Sequence, residues 1–115
     1  MGLFDITQIA LDRALTGAGV RQSVLSNNVA NANTPGFVPS DVDFHKTIAA
    51  ALADPNAVGS VEFQPEQSSG PIGPDGNGVD MDVQMASISQ NALDYEAMSA
   101  VSRTRLTMLS TVIGR

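Results

Sequence analysis

The chain has no cysteine, which excludes disulfides and thiolate chemistry. It has no tryptophan, one tyrosine and four phenylalanines, so the large side chains that usually fill a core are scarce. Its single histidine, His45, has no second imidazole or thiolate with which to share a metal ion. Six lysines and arginines stand against twelve acids, a net charge of −6. That balance disfavours nucleic acid, whose binding needs clustered cations to neutralise phosphates. It also disfavours an anionic membrane surface. No apolar run approaches the length of a membrane span, and the n-region and h-region of a signal peptide are missing. The sixth residue, Ile6, stands where N-myristoylation wants Ser or Thr. At 115 residues one domain is the most to expect. A small, Ala-rich, aromatic-poor chain buries little surface alone, so part of its apolar surface is expected to face other chains.

Proline is missing from both ends of the chain. All six prolines fall between Pro35 and Pro74, and the acidity sits there too. Residues 1–34 are balanced, 35–79 set six acids against Lys46, and 80–115 set four acids against three arginines.

Over about residues 5–32 the spacing predicts a helix. Phe4, Leu11, Leu15, Ala18, Leu25, Val29 and Ala32 follow steps of three and four, with Gln8 and Gln22 as polar interruptions. Gly17 and Gly19 weaken it by about 1 kcal/mol each relative to Ala, and let a neighbouring backbone come close. Over about 80–113 a stronger helix is expected. Met81, Met85, Ile88, Ala92, Tyr95, Ser99, Ser102, Leu106, Leu109 and Ile113 form an unbroken 4-3 series. Leu93, Ala97, Ala100, Met108 and Val112 widen the stripe on one side. Within it Met85, Ile88, Ala92, Tyr95, Leu106, Leu109 and Ile113 are the expected packing residues. Asp80 suits an N-cap, and Asp80 and Asp82 at the start with Arg103 and Arg105 near the end match the helix dipole.

Between the helices the run 70–78 is made of turn formers. A short helix is expected over Asp43–Ala53 and a short strand over Val58–Phe63. The fold class is therefore mainly α. Long N- and C-terminal helices form a coiled-coil or helical-bundle layer around an irregular, Pro/Gly-rich, acidic middle. One domain divides into an N-terminal helix at 1–33, a middle at 34–79 and a C-terminal helix at 80–115.

No constellation with catalytic chemistry stands out. Asp41 and Asp43 read as capping and solvating residues of a short helix. Residues 75–82 superficially look like a calcium loop, but Val79 stands where a ligand belongs and Ala86 where Glu belongs. The serines lack an elbow motif and the glycines lack a phosphate-binding pattern. The methionines Met81, Met85 and Met108 read as packing. No enzyme activity, cofactor, metal or small-molecule substrate is expected. An enzyme built on His45 with Asp41 or Asp43 is the weaker alternative.

Four asparagines fall within seven residues at the end of the first helix, although Asn is a poor helix former. Asn33 through Thr34-Pro35-Gly36-Phe37 reads as a helix stop followed by a type II turn with Gly36 at positive φ. Asn27, Asn28 and Asn31 lie earlier. Their amides are expected to pin this helix against neighbouring helices, since a polar amide in a seam fixes register and partner.

Ser26-Asn27-Asn28-Val29-Ala30-Asn31-Ala32-Asn33-Thr34-Pro35-Gly36-Phe37 resembles the N-terminal signature shared by bacterial flagellar rod, hook and hook-associated proteins. Asp41-Val42-Asp43-Phe44, Gly76-Asn77-Gly78-Val79-Asp80 and Asn91-Ala92-Leu93-Asp94-Tyr95-Glu96-Ala97 are similar to the B-type basal-body rod proteins, the proximal rod subunits. Val38-Pro39 departs from that pattern, which has a basic residue after the turn. The Thr-Arg-containing extension of the C-type rod proteins is absent, which favours the B-type. The resemblance implies a structural subunit whose terminal helices pack as a coiled-coil layer in a helical rod that carries motor torque to the hook. It implies export by the flagellar type III apparatus without a cleaved signal, and a place in the periplasmic rod of the basal body. The implied partners are other rod subunits, the adaptor protein joining rod to ring, and the export apparatus. A helical adaptor or export-apparatus binding module that never polymerises is the alternative.

Overall fold

The computed structural model describes residues 3–54, 56–68 and 78–114, with side chains from residue 6 onward. In order come helix α1 (Leu3–Ala30), strand β1 (Ser40–Asp41), helix α2 (Phe44–Leu52), a 3-10 turn (Val58–Ser60), strand β2 (Glu66–Gln67) and helix α3 (Met81–Ile113). The mainly α architecture expected from the sequence is the one observed. The α1–α3 pair forms the principal packing of a body 61 × 25 × 16 Å. Among the described residues no helix is long and apolar enough to cross a membrane.

The end of α1 and the starts of α2 and α3 each have a local cause. After Ala30 the backbone tightens, and the Asn31 N–H is shared between the carbonyls of Asn27 (3.1 Å) and Asn28 (3.2 Å). The Thr34 N–H then donates to the Asn31 carbonyl at 2.9 Å. Phe37 N–H donates to the Thr34 carbonyl at 3.2 Å, with Gly36 at φ 75°. This is the expected turn, and its left-handed residue is one that glycine occupies without steric cost. Asp43 caps α2 by accepting from Lys46 N–H at 3.0 Å. Asp80 caps α3 by accepting from the N–H groups of Asp82 (3.0 Å) and Val83 (3.3 Å).

One expected element is replaced. The stretch Val58–Phe63 is not a strand. Ser60 turns the chain back, its N–H and its Oγ both donating to the Ala57 carbonyl at 3.0 Å. The ladder forms further on, where Ser40 faces Gln67 and Asp41 faces Glu66 in antiparallel register. Val58 and Phe63 are buried by the folding of the segment as a whole rather than by sheet pairing.

The core lies where this middle segment meets α1. Val42, Phe44 and Phe63 close over Ala18, and Val20, Val24, Ile48, Val61 and Met98 pack around them. Burying each Phe or Val stabilises the fold by about 1.5–3 kcal/mol. Gly17 makes room, because a Cβ there would lie 2.7 Å from Phe63 Cε1 and 2.9 Å from Phe44 Cβ. The Arg13 guanidinium lies 5.7 Å from the centre of the Phe63 ring and donates to the Val61 carbonyl. Arg21 clamps Asp41 with two bonds of 2.9 and 3.2 Å. The stretch that reads as irregular is thus fastened along α1.

Candidate assembly surface

The α1–α3 seam is built from small and polar side chains. Ala10, Ala14, Ala18 and Leu25 are buried on α1, and Gln84, Asn91 and Ser102 on α3. Three hydrogen-bonded rungs cross the seam. Gln8 Nε2 donates to Ser102 Oγ at 3.0 Å. Asn91 Nδ2 donates to the Ala18 carbonyl at 2.9 Å and to Gln22 Oε1 at 3.2 Å. Asn28 Nδ2 donates to Gln84 Oε1 at 3.0 Å. Positions rise along α1 as they fall along α3, so the helices are antiparallel. The polar interruptions Gln8 and Gln22 in the heptad series are two of these rungs.

Asn28 does more than cross the seam. Its Nδ2 also donates to the Ser40 carbonyl at 2.7 Å, and its Oδ1 accepts from Ser40 N–H at 3.0 Å. One amide, 1% exposed, therefore joins α1, β1 and α3. The rest of the asparagine stretch faces outward or is half-buried. Ser26, Asn27, Ala30, Asn33, Thr34, Pro35 and Gly36 are exposed, and Asn31 and Phe37 are half-buried. Asn31 Nδ2 returns to the Asn27 carbonyl (2.9 Å) and Oδ1 (3.2 Å), and Thr34 Oγ1 donates to Asn31 Oδ1 at 3.2 Å. The stretch thus contains one interior residue and a self-bonded exposed end.

On α3 the row against α1 is Gln84, Asn91, Met98 and Ser102. The 4-3 apolar series lies about 60° round the helix from that row. A seven-residue repeat drifts by about 20° per heptad, so the two rows converge near Ser102 and Leu109. Ile88 and Leu109 are accordingly half-buried, while Met85, Ala92, Tyr95, Leu106 and Ile113 are exposed. Ile113 is 79% exposed. Polarity of the facing row gave little signal, because an apolar pattern points to the stripe beside it.

The middle segment covers one flank of the helix pair. There His45 Nε2 meets Asp94 Oδ2 at 3.1 Å, and the imidazole stacks on Phe44 with ring centres 4.2 Å apart. His45 is a surface residue tying α2 to α3. The stripe lies on the opposite, open flank. A groove of about 440 Å³ opens there between Gly19 and Gln22 of α1 and Ala92, Tyr95 and Glu96 of α3.

Among the described residues no cluster of three or more His, Asp or Glu side chains is placed to hold a metal ion. Residues 75–77 of the calcium-loop look-alike, with Gly76 and Asn77 of the similarity to rod proteins, lie outside the described residues, as does the Phe4 side chain. Val79, standing at a ligand position, is buried.

A family model described as flagella basal body rod protein matches residues 9–37, which span most of α1 and the turn after it. The chain is 29% identical over 125 residues to the flagellar basal body rod protein FlgB of Bacillus subtilis (strain 168), covering 98% of this chain and 97% of that protein. It is 30% identical over 114 residues to FlgB of Cereibacter sphaeroides, covering 88% of each. It is 31% identical over 105 residues to FlgB of Proteus mirabilis (strain HI4320), covering 73% of this chain and 76% of that one.

Proposed function

Since the chain belongs to the FlgB family of flagellar basal body rod proteins, we propose that the open flank of its α1–α3 pair is where it joins neighbouring subunits. The protein is a structural subunit of the flagellar basal-body rod and associates with other basal-body components. The observation that carries the surface assignment is the row Met85, Tyr95, Leu106 and Ile113, large apolar side chains exposed along α3. An exposed apolar patch of that extent marks an interaction site. At ~1.5 Å per residue, α3 offers such a seam over about 50 Å.

Ile88, Ala92 and Leu109 complete that contact face. The exposed end of the asparagine stretch, Ser26, Asn27, Ala30 and Asn33 to Gly36, with Asn31 and Phe37 beside it, supplies a second contact at the opposite end of the helix pair. Helices α1 and α3 form the layer that packs between subunits, and the segment from β1 to β2 covers its other flank. Repeated helical seams resist twist, which suits transmission of motor torque to the hook. Its partners in this reading are other rod subunits, the rod-to-ring adaptor and the export apparatus. Its place in this reading is the periplasmic rod, reached through the type III apparatus.

Leu106→Glu tests the flank. It is expected to leave the helicity of the purified chain unchanged and to abolish rod assembly and swimming in cells. Intact rods containing the variant at native amounts would defeat the assignment.

A further inference from the structure

Nothing inside the subunit requires a glycine at position 19. Gly17 makes room for Phe44 and Phe63, but a Cβ on Gly19 would meet nothing within 4 Å. Its backbone is not at positive φ. A glycine in a helix interior costs stability, so Gly19 weakens α1 without relieving any contact. Its missing side chain instead leaves open the groove of about 440 Å³ on the flank between α1 and α3.

The same groove holds an unmade hydrogen bond. Asn91 forms part of its wall and is 2% exposed. The Asn91 Nδ2 donates to the Ala18 carbonyl and to Gln22 Oε1, while its Oδ1 is buried without a partner among the described residues. Turning the amide over would set Oδ1 against the Ala18 carbonyl, so that bond fixes its orientation. A buried acceptor left unpaired is costly. At the mouth stand Tyr95, half exposed, and Glu96, exposed and in no ion pair among the described residues.

These features select an occupant. A helix laid along the flank has its own mid-helix N–H groups bonded in its ladder, so a donor for Asn91 Oδ1 comes from a side chain. A hydroxyl or an amide would satisfy that acceptor and leave Glu96 unpaired. A cationic side chain serves both. Arginine fits best, because its stem lies along apolar walls and its flat head both stacks on an aromatic ring and carries several donors. This chain has few such groups to give. Arg13 and Arg21 are bonded within the subunit. Copies that each carry a net charge of −6 also repel one another.

We propose that the groove at Gly19 is a socket for an arginine side chain of a partner protein richer in cations than this chain. The stem passes over Gly19 beside Ala92 and Tyr95, the guanidinium donates to Asn91 Oδ1, and Glu96 balances its charge from the mouth. A rotamer change of the half-exposed Tyr95 gives the head group room to reach the amide. The socket deepens the subunit-contact assignment above and rests on it.

The test uses the purified full chain, isotope-labelled for NMR, and Nα-acetyl-arginine N-methylamide as the probe. Its citrulline counterpart, of the same shape without the charge, is the control. The arginine probe should shift the Gly19 backbone amide and the Asn91 side-chain amide together, and citrulline should bind about tenfold more weakly or less. Glu96→Gln should weaken the arginine probe about threefold. Gly19→Leu should abolish its shifts while the urea midpoint stays at or above the native one, since leucine is the better helix former. Equal binding of citrulline, shifts confined to other residues, or undiminished binding to Gly19→Leu overturns the proposal. In cells Gly19→Leu should accumulate at the native level and abolish swimming, and normal swimming of that variant also overturns it. Self-association of the purified chain that Glu96→Gln weakens would mean that a second copy fills the groove, which overturns the choice of partner. Normal swimming of Gly19→Leu while Leu106→Glu still abolishes rods would leave the subunit-contact surface standing and remove only the socket.

Discussion

Asn28→Ala is expected to lower the stability of the isolated chain by about 2–4 kcal/mol. The amide is buried and makes three hydrogen bonds, to the Ser40 carbonyl, to Gln84 Oε1 and from Ser40 N–H. Alanine would strand all three partner atoms where water reaches poorly, and an unmade buried bond costs more than a made one contributes. Asn28→Asp should not rescue. It retains an acceptor for Ser40 N–H but sets carboxylate oxygen against the Ser40 carbonyl and Gln84 Oε1. Asn27→Ala, at an exposed neighbour, should change stability by less than about 0.5 kcal/mol. Urea unfolding followed by helical circular dichroism compares the three. Equal midpoints for Asn28→Ala and the native chain would show that this amide is not a structural junction. The asparagines therefore separate by role: Asn28 organises the subunit from within, and its neighbours face outward.

Gly17→Val should cost about 2–3 kcal/mol by overpacking. The first added carbon alone would stand 2.7–2.8 Å from the Phe63 ring and 2.9 Å from Phe44 Cβ. A ring can tilt, but Phe44 Cβ is bound to the α2 backbone and moves only with it. Valine's better helix propensity than glycine's, a few tenths of a kcal/mol, does not offset that. The loss should fall on the middle segment, so limited proteolysis within residues 42–68 should accelerate while the helical signal of α1 and α3 persists. Gly19→Ala is the contrast. A Cβ there meets nothing within 4 Å, so the isolated chain should gain up to about 1 kcal/mol. Slow proteolysis of Gly17→Val, matching the native chain, would refute the close-approach account.

Both long helices, their caps and the Thr34–Phe37 turn were legible because each rests on neighbouring residues. Asp43, Asp80 and Gly36 act within three or four positions of themselves. The α3 stripe was legible as a pattern, but the pattern marks surface that α1 leaves exposed. The row facing α1 is polar but for Met98, and no periodicity of apolar residues could reveal Gln84 or Asn91. Asn28 looked like its neighbours in sequence because its partners, Ser40 and Gln84, are set by the way the chain returns to α1. The path of 56–68 was least legible. Its burial depends on Gly17 and Arg13, more than forty positions earlier, and Val58–Phe63 has strand-like composition without a strand-like neighbour.

The antiparallel seam has a mechanical consequence. Because the beginning of α1 lies beside the end of α3, a pull that separates those two ends opens the pair like a zipper. The Gln8–Ser102 rung bears the whole load first, then Asn91, and Asn28 last. A force that drives one helix lengthwise past the other instead shears every rung at once. The same few weak bonds are therefore compliant to a chain being drawn out by its end and stiff to a load carried lengthwise.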